Sequence, residues 1–116
     1  MFRVTRKIDM PSRRQIKVAE AIARLAADFF ARESNAQSLI TVTHAEVTPD
    51  LKNVRVYISV LPQTSEEPAL AFAKRNRTEF REYLKEHSVL RFLPIVDFEI
   101  DTGEKNLQRI DDLTRR

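Results

Sequence analysis

Histidines and alternating carboxylates are the side chains of this sequence best suited to acid–base or metal chemistry. The two histidines, His44 and His87, lie far apart, and neither has a second histidine at metal-ligating spacing. On a strand, Asp97, Glu99 and Asp101 share one side, where they can hold a hard cation or form an ordinary hydrated surface. We favour the ordinary surface, and therefore predict no metal site and no catalytic residue.

Cysteine and glycine usage excludes further kinds of chemistry. The chain has no cysteine, which excludes disulfides, thiolate metal sites and thiol nucleophiles. The chain has only one glycine, Gly103. This excludes a nucleophile elbow, a Walker loop and a dinucleotide-binding fingerprint, because each of these motifs needs several closely spaced glycines. We therefore expect a protein that is not an enzyme and that binds its partner without a cofactor.

Basic side chains are concentrated in the first third of the chain. The overall net charge of +3 is only mildly basic, so the distribution is more informative than the total. The basic residues of this third are Arg3, Arg6, Lys7, Arg13, Arg14, Lys17, Arg24 and Arg32. They form either a phosphate-binding surface or a solvated helix face with a loose tail. With catalysis excluded, a polyanion such as RNA is favoured, bound with strong salt sensitivity.

An amphipathic helix carries most of these charges. Ser12 and Gln15 have the spacing of a capping box, which predicts a helix start near Arg13. Apolar residues recur at helical spacing from Val18 to Phe30, and the charged residues share the opposite side. The polar stretch 33–38 ends this helix.

A β-hairpin follows the first helix. The alternation of apolar residues changes phase within residues 39–47, which predicts a bulge near Thr43 and His44. Residues 48–50, Thr-Pro-Asp, predict a turn, and the regular alternation of residues 53–60 predicts a strand with one buried face. Tyr57, on the other face, can stack a base or simply fill the sheet.

Two shorter helices and a third strand complete the pattern. A helical stripe runs from about Pro68 toward His87 and is interrupted at Asn76, which has capping-box spacing to Glu79. We therefore predict a kink or a fresh helix start at residues 76–78. Pro94 precedes an alternating third strand over residues 96–100.

The order of elements is helix, strand, strand, helix, kink, helix, strand. It predicts a single α+β domain in which helices cover one face of a three-stranded sheet. We assign residues 1–10 to a flexible basic N-terminal segment, 11–101 to the domain and 102–116 to a polar C-terminal tail. No signal segment or membrane span is present in the sequence, so we expect a cytoplasmic, monomeric protein with no membrane association.

The hairpin sequence TVTHAEVTPDLKNVRVYISV, residues 41–60, resembles the signature hairpin of the ribosome-binding factor A family. Two further stretches are similar to that family. The first is the basic helix SRRQIKVAEAIARL; the second is a C-terminal pattern matched by Leu90, Arg91, Pro94, Val96, Phe98 and Asp101. The order of elements is also that of the type II KH domain, a module that binds single-stranded RNA.

The resemblance implies a function as well as a fold. A member of this family binds 16S rRNA in the immature 30S subunit, near the neck between head and body, and promotes late maturation and rRNA processing. It acts by occupancy, with no catalysis and no cofactor. The alternative is a protein–protein interaction module that pairs through an exposed edge of its sheet, with RNA binding incidental.

The resemblance also implies which residues contact RNA. The family has an Ala-x-Gly kink in place of the GxxG loop of ordinary KH domains, and here the triplet is Asn76-Arg77-Thr78. Charge from Arg75 and Arg77 can compensate for the missing glycine. The expected RNA-binding residues are Arg13, Arg14, Lys17, Lys52, Arg55, Arg75, Arg77 and Arg91.

Overall fold

The computed structural model describes residues 11–33 and 39–102, and the order of its elements confirms the predicted α+β class. The elements are α1 (Arg13–Glu33), β1 (Leu39–Val47), β2 (Asn53–Leu61), a 3-10 turn (Gln63–Ser65), α2 (Glu66–Arg75), α3 (Arg77–His87) and β3 (Ile95–Ile100). The predicted N-terminal segment 1–10 lies outside the described residues, as does the predicted tail beyond Thr102. No helix in the described ranges has both the length and the apolar character that crossing a membrane requires.

The capping box predicted for α1 is present. The backbone N–H of Ser12 donates to Oε1 of Gln15 at 2.9 Å, and the backbone N–H of Gln15 donates to Oγ of Ser12 at 3.1 Å. The side-chain amide of Gln15 also donates to the carbonyl of Val47 at 2.9 Å, in a buried position. One side chain therefore both caps α1 and attaches its first turn to the end of β1.

The sheet has the order β1-β2-β3, with β1 antiparallel to β2 and β2 parallel to β3. The register of the hairpin shifts between Val42 and His44, which confirms the predicted bulge. Because of this extra residue, Ala45 and Val47 point to the same side as Val42 and can pack against the core.

The hairpin turn is organised by side-chain bonds. Asp50 accepts hydrogen bonds from the hydroxyl of Thr48 at 2.6 Å and from the backbone N–H of Lys52 at 3.0 Å. These two bonds lower the pKa of Asp50, the bond from Thr48 having the larger effect. The residues that form these bonds flank Leu51, whose φ of 62° lies in the left-handed region that a bulky residue seldom adopts. The turn is therefore held firmly enough to keep Leu51 in this conformation.

Helices cover one face of the sheet, as predicted. The alternating residues Val54, Val56, Ile58 and Val60 of β2 are buried beneath them. Aromatic side chains fill the centre, with ring centroids 5.3 Å apart for Phe30 and Phe98 and 5.8 Å apart for Phe80 and Phe98. This core joins α1, α3 and β3 around the central strand.

The break between α2 and α3 lies at Asn76, but the capping mechanism predicted for it is wrong. Asn76 makes no side-chain bond to the start of α3, and so no capping box with Glu79. Its Nδ2 instead donates to the carbonyl of Phe72 at 2.8 Å, so the side chain terminates the preceding helix. The structure also begins α2 at Glu66, two residues before the predicted start at Pro68.

Candidate nucleic-acid interface

One end of the sheet gathers five of the predicted RNA-binding residues. We call it the turn end: β1 stops there at Val47, and β2 and β3 start there at Asn53 and Ile95. The Gln15–Val47 bond places the first turns of α1 at this end, and the N–H of Ile95 donates to the carbonyl of Lys52 at 2.8 Å. The residues around the turn end are Arg13, Arg14, Lys17, Lys52 and Arg91.

All five of these side chains are exposed. Among the residues that the structure describes, none of the five forms an ion pair. Their charges come from three separate stretches of the chain, namely α1, the hairpin turn and the loop before β3. The fold therefore concentrates positive charge that the sequence spreads over about two-thirds of its length.

A second basic row runs along α3. Arg77, Arg81 and Lys85 follow one another at a spacing of four, which places them on one side of the helix. Arg81 donates from Nε to the carbonyl of Pro94 at 3.2 Å and from Nη2 to the carbonyl of Leu93 at 3.4 Å. This basic side of α3 therefore faces β3 and the loop that leads into it. Only Arg77 of this row was among the predicted RNA-binding residues, although the spacing of four between the three basic residues is visible in the sequence.

The acidic residues of α3 lie on another side of the helix. Glu79, Glu82 and Glu86 line a shallow groove together with Arg32 and Tyr83. The guanidinium of Arg32 lies over the ring of Tyr83, 5.5 Å from its centroid. Charge on α3 is thus segregated, so a polyanion is attracted to the basic side and repelled by the acidic side.

Asp97 links the two helices at their break. Its Oδ1 lies 3.0 Å from Nζ of Lys74 near the end of α2 and 3.3 Å from Nη1 of Arg77 at the start of α3. Partial burial raises the pKa of Asp97, but hydrogen bonds from Lys74 and from the N–H of Phe98 together outweigh it, so that the pKa is lowered overall. Arg77 is therefore paired with Asp97, whereas Arg75 is exposed and has no ion pair within the described ranges.

Arg55 lies on the open face, the side of the sheet opposite the helices. The charged and aromatic side chains of this face include Glu46, Arg55, Tyr57, Asp97 and Glu99. Nε of Arg55 lies 3.1 Å from Oε2 of Glu99, and Nη1 donates to the hydroxyl of Tyr57 at 3.4 Å. The Tyr57 hydroxyl and then the Glu99 carboxylate raise the pKa of Arg55. Arg55 therefore lies close to the turn end in the strand register, but it is on the open face and has acidic neighbours.

His44 and Tyr57 form a stacked pair on the open face. Their ring centroids are 4.5 Å apart with an interplanar angle of 11°. The His44 ring also lies 3.7 Å from Glu46 and 3.6 Å from Asp101. A base could stack on this side of Tyr57 only by displacing His44. Within residues 11–33 and 39–102, no group of three potential metal-ligating side chains is close enough to hold an ion.

Comparison with known proteins identifies the family. The model of the ribosome-binding factor A family matches residues 14–114. The chain belongs to the ribosome-binding factor A family. Among its relatives, the ribosome-binding factor A of Ruegeria sp. (strain TM1040) is 36% identical over 112 residues, which cover 91% of this chain and 82% of that protein. The one from Paracoccus denitrificans is also 36% identical, over 91% of this chain and 78% of the relative.

The architecture agrees with that of the ribosome-binding factor A family. The crystal structure of ribosome-binding factor A from Thermus thermophilus matches with a TM-score of 0.67 at 21% identity, over 74% of this chain and 94% of that chain. This likeness confirms the KH-like fold. Membership also confirms that the chain is not an enzyme, because the ribosome-binding factor A family consists of non-catalytic assembly factors.

Proposed function

We propose that this protein is a cytoplasmic assembly factor that binds 16S rRNA in the immature 30S subunit. By occupying the rRNA it promotes late maturation and processing, with no catalytic step and no cofactor. Family membership supports the proposal, and the observation that carries it is the exposed positive charge of the turn end. Exposed arginines and lysines of this kind bind phosphates and release counterions.

The RNA surface that we propose extends from the turn end along the basic side of α3. It includes the predicted Arg75 and Arg77, and it adds Arg81 and Lys85. Arg77 already has a carboxylate partner in Asp97, so its contribution is smaller than that of an unpaired cation. We propose that Arg55 acts mainly in the open-face network, because Glu99 and Tyr57 occupy its guanidinium.

Co-sedimentation with precursor 30S subunits tests the proposal. The wild-type protein should sediment with precursors at low salt and dissociate steeply as salt is raised. The triple change of Arg13, Arg14 and Lys17 to alanine should weaken binding and reduce this salt dependence, with little change in Tm. Absence of association with precursor or mature subunits at low salt would refute the proposal.

A matched pair of single variants locates the surface on α1. Arg14→Ala and Arg32→Ala each remove one exposed arginine, but Arg32 lies at the other end of α1, next to the acidic side of α3. We expect weaker binding for Arg14→Ala alone. The alternative function, pairing through a sheet edge, predicts that both variants behave as wild type. It also predicts a dimer or hetero-complex that is insensitive to salt in sedimentation velocity.

A further inference from the structure

The loop between α3 and β3, residues 88–94, leads into the turn end and exposes two large apolar side chains. Val89 is fully exposed and Phe92 is 83% exposed. A single exposed apolar residue is ordinary in a soluble protein. Two in one short loop, one of them aromatic and next to Arg91, suggest a contact surface. Positive charge alone does not explain why an aromatic ring is presented here.

The loop holds Phe92 in place. Leu90 and Leu93 turn inward and pack against the core, and Arg81 donates hydrogen bonds to the carbonyls of Leu93 and Pro94. At the start of the loop, the hydroxyl of Ser88 donates to the carbonyl of Leu84 at 2.7 Å. A ring presented by an anchored loop loses little conformational entropy when it binds a partner.

Basic residues adjoin the part of the loop that leads into β3. Arg91 precedes Phe92 directly, Arg81 supports the loop, and the backbone of Lys52 bonds to Ile95, the residue where the loop joins β3. The loop itself contains no carboxylate. The nearby Asp50 is engaged by Thr48 and by the N–H of Lys52. An aromatic ring among cations is the arrangement by which proteins bind unpaired nucleotides, whose bases stack while the cations contact phosphates.

We propose that Phe92 stacks on an unpaired base of the bound RNA, with Arg91 and Lys52 contacting the flanking phosphates. This inference rests on the proposed RNA-binding function and adds to it a single-stranded target at a defined position. Phe92 suits this role better than Tyr57, because His44 already covers one face of the Tyr57 ring. Single-stranded RNA is favoured over duplex, since a base inside a helix offers no free face.

Substitutions of Phe92 separate stacking from charge and from apolar contact. Phe92→Ala and Phe92→Leu should each weaken binding to protein-free 16S rRNA by about 5- to 150-fold, whereas Phe92→Tyr should bind as wild type. The slope of log affinity against log salt should stay unchanged in all three, because no charge is removed. Arg91→Ala should instead lower that slope by roughly 0.7. Leu39→Ala is the control, because Leu39 is an exposed apolar residue at the opposite end of the sheet, where it pairs with Leu61, and this variant should bind as wild type.

A fluorescent reporter tests the contact directly. The chain has no tryptophan, so Phe92→Trp introduces a single one. Its fluorescence should be quenched when 16S rRNA is added and recover when salt dissociates the complex. Leu39→Trp is the control, since Leu39 is exposed and lies at the opposite end of the sheet, where it pairs with Leu61. Its fluorescence should not change.

Three outcomes would overturn the stacking proposal. The first is binding of Phe92→Leu with wild-type affinity, and the second is no quenching of Phe92→Trp while the complex forms. The third is a loss with Phe92→Ala that is seen on intact precursor subunits but not on protein-free rRNA, which would assign the loop to a protein partner. If wild-type protein binds neither rRNA nor subunits at low salt, the proposed function itself fails and the stacking proposal with it.

Discussion

Replacing Gln15 with alanine should destabilise the protein by about 1.5 to 4.5 kcal/mol. The change removes the acceptor for the N–H of Ser12, whose loss costs about 0.5–1.5 kcal/mol net, and leaves the buried carbonyl of Val47 unpaired, which costs about 1–3 kcal/mol. For a domain of this size, the lower end of that range corresponds to a fall in Tm of at least about 6 °C. Urea titration at pH 7 measures the change in the free energy of unfolding, provided that its dependence on urea concentration is the same for the variant and the wild type.

Two comparison variants isolate the long-range bond of Gln15. Ser12→Ala removes only the other half of the capping box and should cost about 1 kcal/mol. Gln15→Glu keeps an acceptor for Ser12 but cannot donate to Val47 while ionised, so it should be destabilised at pH 7 and partly recover when the carboxyl is protonated. If Gln15→Ala and Ser12→Ala differ by less than about 0.5 kcal/mol, the bond to Val47 contributes little to the stability of the fold.

Two further predictions concern charged residues. Because the pKa of Asp97 is lowered in the folded chain, its carboxylate stabilises the fold above the ordinary pKa of 3.8, and this contribution is lost as pH falls through the folded pKa. Asp97→Asn should therefore be less stable than wild type at pH 7 by about 0.2–1 kcal/mol, and it should lose less stability than wild type on acidification. Thermal melts between pH 7 and pH 2 measure both effects. Equal acid sensitivity of the two proteins would contradict this prediction. Lys52→Ala should lower the salt slope of rRNA binding by roughly 0.7 whereas Arg55→Ala should leave it unchanged, and equal effects in filter binding would place RNA on the open face.

The α1 start, the hairpin bulge and the buried face of β2 could be predicted because each depends on residues close together in the chain. The capping box joins residues three apart, and the bulge follows from a change of phase within nine residues of one strand. The alternation of β2 needs no partner to be recognised. Similarity of the hairpin then identified the family, which the family model and the relatives confirm.

The site was harder to predict, because its geometry depends on contacts between residues distant in sequence. Asn76 had two possible bonding directions, and its position against Phe72 favours the end of α2 over the start of α3. Nothing in the sequence indicates that Arg55 has an acidic partner. The parallel register of β2 and β3 brings Oε2 of Glu99 to 3.1 Å from Nε of Arg55.

Short-range sequence patterns were sufficient for the elements of this protein and their order, because capping, turn and alternation signals act within one helical turn or one strand. The tertiary structure decided which cations remain available. The turn end exists because Gln15 reaches the carbonyl of Val47 and because Ile95 bonds to Lys52, and both contacts cross more than 30 residues of sequence. Only the packing of α1 and the strand register set those distances, and they determine where the charges meet.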